Sequence, residues 1–532
     1  MQHTINISAT PCASTDVIDP PDDVLERRGR VNSTTSSAGQ SEILFKLLAY
    51  EQPGRTVDHI DPPLPAHLRR GREITHAFSS RIARGYSYPA DPTSLIRANS
   101  NSRTGRQPRT WITTFGCLIA TVFLANVTAL ATFTGQRRLA VEIALNAVSG
   151  NIFLTVLIRH ETFLNLLYRI TTSLPPTAPL FLRRRLANFH HVGGVHVGCA
   201  LSSLSWYIAY VYLCVYDFAQ RRERKEQIGA LISINLITCL LFIILLLAVC
   251  LTALPGPREK HHNNFERVHR FGGWAAMAIF WVHAGITSLL SPPSTPLYTH
   301  PSLWLLAATT ILLIFPWLHI RRVNVSTTRL STNALILTFP HPTMPPTSTM
   351  RFSTSPLTEW HAFAPLPNFP RAGESSIVVA AAGDWTSATI ATPPPRIWLR
   401  NLPTRNFLAA ARMFRTLVLV ATGSGIGPVL SYLAALTPEA RATQRIRVLW
   451  VGRDPFAGEW GFARHVIERV DPRPEIVDSR PARPDVVART GVVVEREGAE
   501  AVFVVSNRGL TGEVLWAARG WGCVAFGASF DS

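Results

Sequence analysis

Charge is scarce in this chain of 532 residues: only 16% are Asp, Glu, Lys or Arg, where ordinary soluble domains carry roughly 25%. Acid is scarcer still. Thirty-four Asp and Glu face 52 Lys and Arg, a formal net charge of +18. A basic excess of that size points to nucleic acid or to a membrane surface. The low charged fraction, beside 47% hydrophobic residues, argues against nucleic acid as a partner and for a lipid bilayer. Cysteine is also sparse, seven in all with no CxxC, and Cys117, Cys199, Cys214, Cys239 and Cys250 lie in apolar runs. That excludes a disulfide framework and a metal site built on paired thiolates. The opening MQHTINISATPCASTDVIDPPDD has no apolar stretch, so no secretory signal peptide is expected there. No internal repeat is visible.

What is present is unevenly distributed. Residues 1–110 are rich in Pro, Ser, Thr, Asn and Arg, with one short apolar stretch at Ile43 to Tyr50. Such a segment buries too little apolar surface to offset its ordering entropy, and reads as a mostly disordered basic arm with room for one short helix. Six apolar segments follow, at about 111–134, 139–158, 192–216, 228–252, 272–290 and 302–320. Each approaches the ~20 residues a helix needs to cross about 30 Å of hydrocarbon. Residues 111–322 are therefore expected to form a six-helix transmembrane domain. Lys and Arg cluster before the first span (Arg97, Arg103, Arg106, Arg109), in the second and fourth loops (Arg183, Arg184, Arg185; Arg258, Lys260, Arg267, Arg270) and after the last (Arg321, Arg322). The other side holds Arg137, Arg138, Arg221, Arg222, Arg224 and Lys225. The bias predicts a multi-pass protein of the plasma membrane or an internal membrane, with both termini cytosolic.

Beyond the last span the helical period disappears. Short β-branched runs broken by Pro and Gly (ALILTF, TMRFST, SSIVVAAA, ATIATPPPRIWL) predict a small antiparallel barrel or sandwich over 323–400. Over 401–532, apolar strands (RTLVLVATG, RIRVLWVGR, AVFVVSN, WGCVAFGAS) alternate with helical stretches, the pattern of an open parallel sheet. Its sharpest feature is LVLVATGSGIGPVLSYLAAL, a strand running through Gly423, Ser424, Gly425, Ile426 and Gly427 into a helix. Glycines let backbone approach a diphosphate, and the helix N-terminus offers free N–H groups. Upstream, TEWHAFA (358–364) and AGDWT (382–386) flank one strand. An aromatic cluster with a His can flank a flavin ring, and a Gly ahead of a helix can hold a diphosphate; Trp360 and Phe363 read equally as barrel core.

Taken in order, a six-helix membrane unit, His-x-Phe, Gly-Asp-Trp-Thr and Gly-x-Gly-Ile-Gly resemble the ferric reductase and NADPH oxidase superfamily, with a ferredoxin-reductase-like module at the C-terminus. The likeness is closer to fungal TmpA-type integral membrane flavoproteins, some of which are fused to adenylate-forming domains. It covers about 111–532. It implies FAD held by His361, Phe363, Gly383, Asp384, Trp385 and Thr386, and NAD(P)H held by Gly423, Ser424, Gly425, Ile426, Gly427 and Pro428. It places Arg453 and Asp454 at the adenosine ribose or its phosphate, and Phe530 over the flavin's nicotinamide face, where packing of a terminal strand is an equal reading of that Phe. There are departures. The family's His-Pro-Phe-Thr is His361-Ala362-Phe363-Ala364, so a hydroxyl near the flavin is missing; Arg351-Phe352-Ser353 resembles the soluble reductases' Arg-x-Tyr-Ser and offers a substitute. The expected Cys-Gly-Pro is Ser506-Asn507-Arg508, which removes a thiol.

Histidines in membrane spans are costly unless used. His191 and His196 begin the third span, and His269 and His283 bracket the fifth. The latter two stand 14 residues apart, about 21 Å along one helix face. One haem between His191 or His196 and His269 is one reading; His283 lacks a second histidine at that spacing on the third helix. The other reading has these histidines bonding one another or backbone, and the glycines of His191-Val192-Gly193-Gly194-Val195-His196 serve helix packing. The expected activity is transfer of electrons from cytosolic NAD(P)H through FAD to a haem, a membrane acceptor or a small molecule. The alternative is a catalytically weak membrane regulator that keeps the nucleotide fold.

Overall fold

The computed structural model describes residues 113–290, 296–341 and 344–529. The expectations for the arm of residues 1–110 and for Phe530 lie outside the described residues. Helix α1 (Thr114–Gly135) starts where the Thr113 hydroxyl accepts the Gly116 N–H. It turns back through Arg137, which adopts a left-handed φ of 52°, into α2 (Val141–Leu157). Helix α3 (Glu161–Thr171) departs 70° from α2, and the short α4 (Leu180–Ala187) follows. Then come α5 (Gly193–Glu223), α6 (Ala230–Thr252), two short helices α7 (Pro255–Lys260) and α8 (His262–Arg267), and a π turn over Val268–Gly272. Helices α9 (Gly273–Leu289) and α10 (Pro301–Ile314) complete the bundle, α10 running on as a 3-10 turn to His319.

A helix stands at each of the six expected spans, but among the described residues only four are long and apolar enough to cross a membrane. The second span reaches that size only if α2 and the sharply bent α3 are counted as one. Helix α9 by itself has 17 residues, the π turn Val268–Gly272 leading into it, and it is not among those four. Of the six expected spans, four among the described residues have spanning length and composition, or five if α2 and α3 are one span. The bundle packs on Ala144, Leu145, Val148, Trp206, Tyr207, Tyr210, Phe242 and Phe280. Leu124, Ile237, Ile244, Leu251 and Ile311 point outward and are exposed.

The antiparallel unit comprises β1 (Ile320–Asn324), β2 (Ser326–Ser331), β3 (Ala334–Pro340), β4 (Ser348–Ser353), β5 (His361–Phe363), β6 (Leu366–Pro367), β7 (Glu374–Ala380) and β8 (Arg396–Arg405). They form two four-stranded sheets, ordered β1-β8-β4-β5 and β2-β3-β7-β6. Leu335, Leu337, Phe339, Met350, Phe352, Ile377, Val379 and Leu399 fill the space between them. The first half of ATIATPPPRIWL is not strand. It ends helix α11 (Asp384–Ala391), stopped before the prolines at 393–395, where a residue preceding proline disfavours helical backbone.

The parallel sheet has the order β11-β10-β9-β12-β13, from β9 (Thr416–Thr422), β10 (Arg445–Gly452), β11 (Glu475–Asp478), β12 (Ala501–Ser506) and β13 (Val524–Ser529). The chain leaves β9 toward β10 on one side and later fills β12 and β13 on the other. The glycine turn after β9 therefore sits at the switch point, where open α/β sheets bind ligands. Helices α12 (Ile426–Ala434), α13 (Pro438–Thr443), α14 (Gly461–Glu468), α15 (Val486–Glu497) and α16 (Arg508–Ala517) accompany it. Helix α15 and the short edge strand β11 had no clear sequence signal.

Buried ion pairs fasten this module to the bundle. The Glu161 carboxylate, 4% exposed, accepts from Arg351 (2.6 Å) and Arg400 (3.2 Å) of the barrel. Arg183 of α4 grips Glu500 with two hydrogen bonds of 2.8 and 3.0 Å and also donates to the Met413 carbonyl.

Candidate functional site

A cleft of about 1800 Å³ opens between barrel, parallel sheet and the α7–α8 segment of the bundle. Its barrel wall begins at β5, which pairs with β4 so that Met350 faces Phe363, Arg351 faces Ala362 and Phe352 faces His361. The His361 ring stacks on Trp385 with centroids 4.3 Å apart and planes 20° apart, and Phe363 meets the same indole at 5.7 Å. Trp385 is itself anchored by an Nε1–H donated to Thr354 Oγ1. The wall is thus a flat, pre-stacked aromatic surface with a half-buried imidazole on it.

Next along this wall, the Thr386 hydroxyl accepts the N–H groups of Ala382 and Gly383 and donates to the Gly383 carbonyl. That fixes the bend leading into α11. Gly383 has no side chain with which to cap the helix, so the first α11 N–H groups are left toward the cleft, beside Ala382, Gly383 and Asp384. Opposite lies the turn after β9. Gly423 takes φ +52°, and a side chain added there would meet nothing within 4 Å. Its carbonyl accepts from Trp450 Nε1. A Cβ at Gly425 would stand 2.3 Å from the Val505 carbonyl, so only glycine lets the turn close on β12 and aim the α12 N-terminus at the cleft. Two helix N-termini, each favourable for anionic oxygen, thus serve one cavity.

Of the residues singled out above, His361, Phe363, Gly383, Asp384, Trp385, Thr386, Gly423, Ser424, Gly427, Pro428 and Arg453 line this one cleft. Gly425 and Ile426 lie buried behind it as structural parts of the turn. Arg351 and Ser353 require correction. Arg351 is turned away to Glu161, and Ser353 is fully buried with no partner for its hydroxyl among the described residues. Neither is on the cleft wall: the β4 side chains that enter the barrel core are Met350 and Phe352, and Arg351 and Ser353 share the opposite face of the strand, toward Glu161 of the bundle in the case of Arg351. Among the hydroxyl residues that do line the cleft is Ser506, 2.5 Å from Thr422 Oγ1.

Sequence reasoning missed Arg480. It bridges Asp454 (2.6 Å) and Asp478 (2.5 Å) on the wall that also carries Arg453. Its hydrogen bonds hold the Asp478 carboxyl down at about 2. No motif marks it; it arrives through β11, the strand without a clear signal. The bundle's contribution, Glu259 to Asn264 with Arg267 and Phe271, was also unforeseen.

Inside the bundle, His196 and His269 face each other with ring centroids 6.3 Å apart. His196 Nδ1 lies 2.9 Å from the Thr155 carbonyl, which leaves Nε2 for another partner. His191 lies in the 3-10 turn over Asn188–Val192, and His196 rather than His191 makes this pair. His283 belongs elsewhere. It is fully buried against Tyr210 and Tyr207, with Thr238 Oγ1 at 3.4 Å from Nδ1. The neighbouring glycines are explained by packing: Cβ atoms at Gly194 and Gly198 would meet the Phe115 carbonyl at 2.5 Å and Val122 at 2.9 Å.

Residues 407–532 match the family described as Adenylate-forming reductase 03009, C-terminal domain. Over 427 residues the chain is 36% identical to Adenylate-forming reductase 03009 of Coprinopsis cinerea, covering 78% of this chain and 40% of that protein. Adenylate-forming reductase 06235 of the same organism is 34% identical over 395 residues, 72% of this chain and 37% of that protein. The chain thus spans about two fifths of the length of these curated relatives. Among solved structures, a ferredoxin NADP+ reductase from Neisseria gonorrhoeae with bound FAD and NADP aligns at 15% identity and a TM-score of 0.34, over 40% of this chain and 98% of that one. A flavohemoglobin from Malassezia yamatoensis aligns at 12% identity and a TM-score of 0.37, over 78% and 98%.

Proposed function

We propose that this chain is a membrane-seated NAD(P)H oxidoreductase that uses FAD. The observation that carries the reading is the cleft itself, where a stacked aromatic wall and two helix N-termini converge. Its size exceeds the ~300–1,000 Å³ of a single small-molecule pocket and suits two dinucleotide-sized ligands. The relatives named above, both reductases, support it.

The residues present fit both groups. His361, Phe363 and Trp385 offer a flat face for an isoalloxazine, while Gly383, Asp384 and Thr386 set the α11 N-terminus for its diphosphate. Gly423, Ser424, Gly427 and Pro428 do the same for NAD(P)H, with Arg453 and Arg480 placed for the adenosine end. FAD, when bound, would supply the conversion of one hydride's two electrons into single-electron steps. The protein's own part is to stack, orient and exclude water, and Ser506 with Thr422 puts hydroxyls where the family carries a thiol.

His196 and His269 are the pair we assign to a haem. Their rings face one another 6.3 Å apart, with His196 Nε2 left open by the Thr155 bond of Nδ1, so these two imidazoles are the ones that would hold a haem iron, which would supply one-electron transfer. They sit at the bundle end nearest the cleft, since Arg270 donates to the Thr358 carbonyl and Phe271 lines the cavity. His283, in its tyrosine cluster, is given no iron. The outward apolar faces of α1, α6 and α10 support seating in a bilayer, with the basic loops and both termini on the cytosolic side.

An absorption spectrum of the detergent-purified chain, before and after NADPH, tests this. Flavin bands that bleach with NADPH are expected, with a Soret band that H269A removes. Protein without flavin bands, or with bands that NADPH leaves unchanged, would overturn the oxidoreductase reading. Bound flavin with negligible dye reduction would favour the regulator, for which Ala364 and Ser506 speak.

A further inference from the structure

A second recess, of about 360 Å³, lies where α3 meets the barrel and shares no residue with the cleft. Asn165, Leu166, Arg169, Pro345, Ser348 and Arg405 contribute to its wall. It is rigidly built. The Asn165 side chain donates to the Pro403 carbonyl and accepts the Arg405 N–H, both at 2.8 Å, which bolts the end of β8 to α3. Ser348 stands opposite Arg405 in the β4–β8 register. It is 1% exposed, and its hydroxyl has no partner among the described residues. Such a buried, unsatisfied hydroxyl is uncommon and calls for a ligand or water.

The charge at this recess is equally one-sided. Arg169 and Arg405 line it, Arg412 lies close by, and among the described residues none of the three has a carboxylate partner. Burial, then Arg412 and Arg169, pull the Arg405 guanidinium below its ordinary value. Uncompensated cations facing one another are costly unless an anion joins them. The edge of the site is greasy: Leu166 is 50% exposed, and Ile170, one turn on along the same face of α3, is 59% exposed. A helix with an apolar outer face and arginine at its margin suits the boundary between headgroups and acyl chains.

We propose that this recess binds a phosphate oxyanion between Arg169 and Arg405, and that the headgroup of an anionic phospholipid supplies it. The source, though not the chemistry, rests on the membrane seating proposed above. Arginine's planar fork matches phosphate oxygens, Ser348 adds a hydroxyl donor, and Leu166 and Ile170 receive the chains.

The test uses the full chain in a non-ionic detergent, with thermal melting read against dihexanoyl phosphatidic acid and, at equal ionic strength, inorganic phosphate. The short-chain lipid is expected to raise Tm while phosphate alone does not. R169Q/R405Q should weaken the lipid effect about tenfold or more, and R405K should retain part of it. R169Q alone, at an exposed position, serves if the double variant does not fold. An equal shift with inorganic phosphate, lost in these variants, would overturn the lipid source. No shift with either probe, or a shift that survives the variants, would overturn the site. Membrane seating is read separately, from whether the chain stays with carbonate-washed membranes, so the two failures are distinguishable.

Discussion

Two glycine runs lie on either side of the junction and are put to opposite uses. In the bundle, Gly194 and Gly198 are closed over by α1, whose Phe115 carbonyl and Val122 side chain occupy the space a Cβ would need. In the module, Gly425 is closed over by Val505, yet Gly423 two residues earlier faces open space at φ +52°. A glycine-rich sequence therefore marks close backbone approach but does not say to what. In α5 the approach is to another helix and the result is packing. After β9 half of the turn is packed, and that packing presents the other half to the cleft.

Substitution separates these uses, and G425A is expected to have the largest effect. Its Cβ would lie 2.3 Å from backbone that cannot yield, costing about 3 kcal/mol and removing NADPH-dependent dye reduction. G194A meets a similar obstruction at 2.5 Å but should lower the bundle's melting while NADPH still reduces the flavin. Loss of the same property in both variants would mean the two runs do one job.

Next comes the junction between the halves. E500Q leaves Arg183, only 4% exposed, without its charge partner, at a cost of about 3 kcal/mol. E259Q, at the exposed pair with Arg508, should cost under about 1 kcal/mol. Calorimetry of E500Q is expected to split one transition into two. Burial alone would raise the Glu500 carboxyl, but Arg183 and Arg415 hold it below its ordinary value. Its contribution is therefore present above the unfolded value, about 4.3, and is lost as pH falls through the lower folded one. Wild-type Tm should drop more steeply than that of E500Q below about pH 4.3.

G423A should act on ligand rather than fold, with strain of about 1 kcal/mol but a several-fold rise in the KM for NADPH. A large fall in Tm with KM unchanged would place Gly423 with the packing glycines instead. The smallest effect is expected from D478N, which loosens Arg480 at an exposed site. NADPH affinity should change by no more than a few-fold, with Tm unmoved.

Much of the fold was legible because it repeats a local rule. Apolar runs of helical length announced the helices, and alternation of β-branched runs with helical stretches announced β9, β10, β12 and β13. Strand β11 was not legible, being four residues flanked by Pro and charge, and Arg480 was lost with it. The segment at 388–392 was read as strand from its Thr and Ile. Tertiary context overrode that propensity, since Thr386 fixes the bend that starts a helix there. Arg351 and Ser353 matched a cofactor pattern by residue type, but in the barrel Arg351 pairs with Glu161 and Ser353 is buried away from the cleft.

The sequence by itself determined where the chain is apolar enough to be helical bundle, where it becomes strand, and which glycines and aromatics stand at strand ends, because these follow from neighbours a few residues apart. Only the tertiary structure decided which of them share a space. His361 meets Trp385, His196 meets His269 rather than His283, and Glu161 meets arginines about two hundred residues away in sequence. Such meetings depend on the bend between α2 and α3, the register of β4 on β8 and the order of strands in the parallel sheet. Those are set by packing of distant surfaces, which no local pattern encodes.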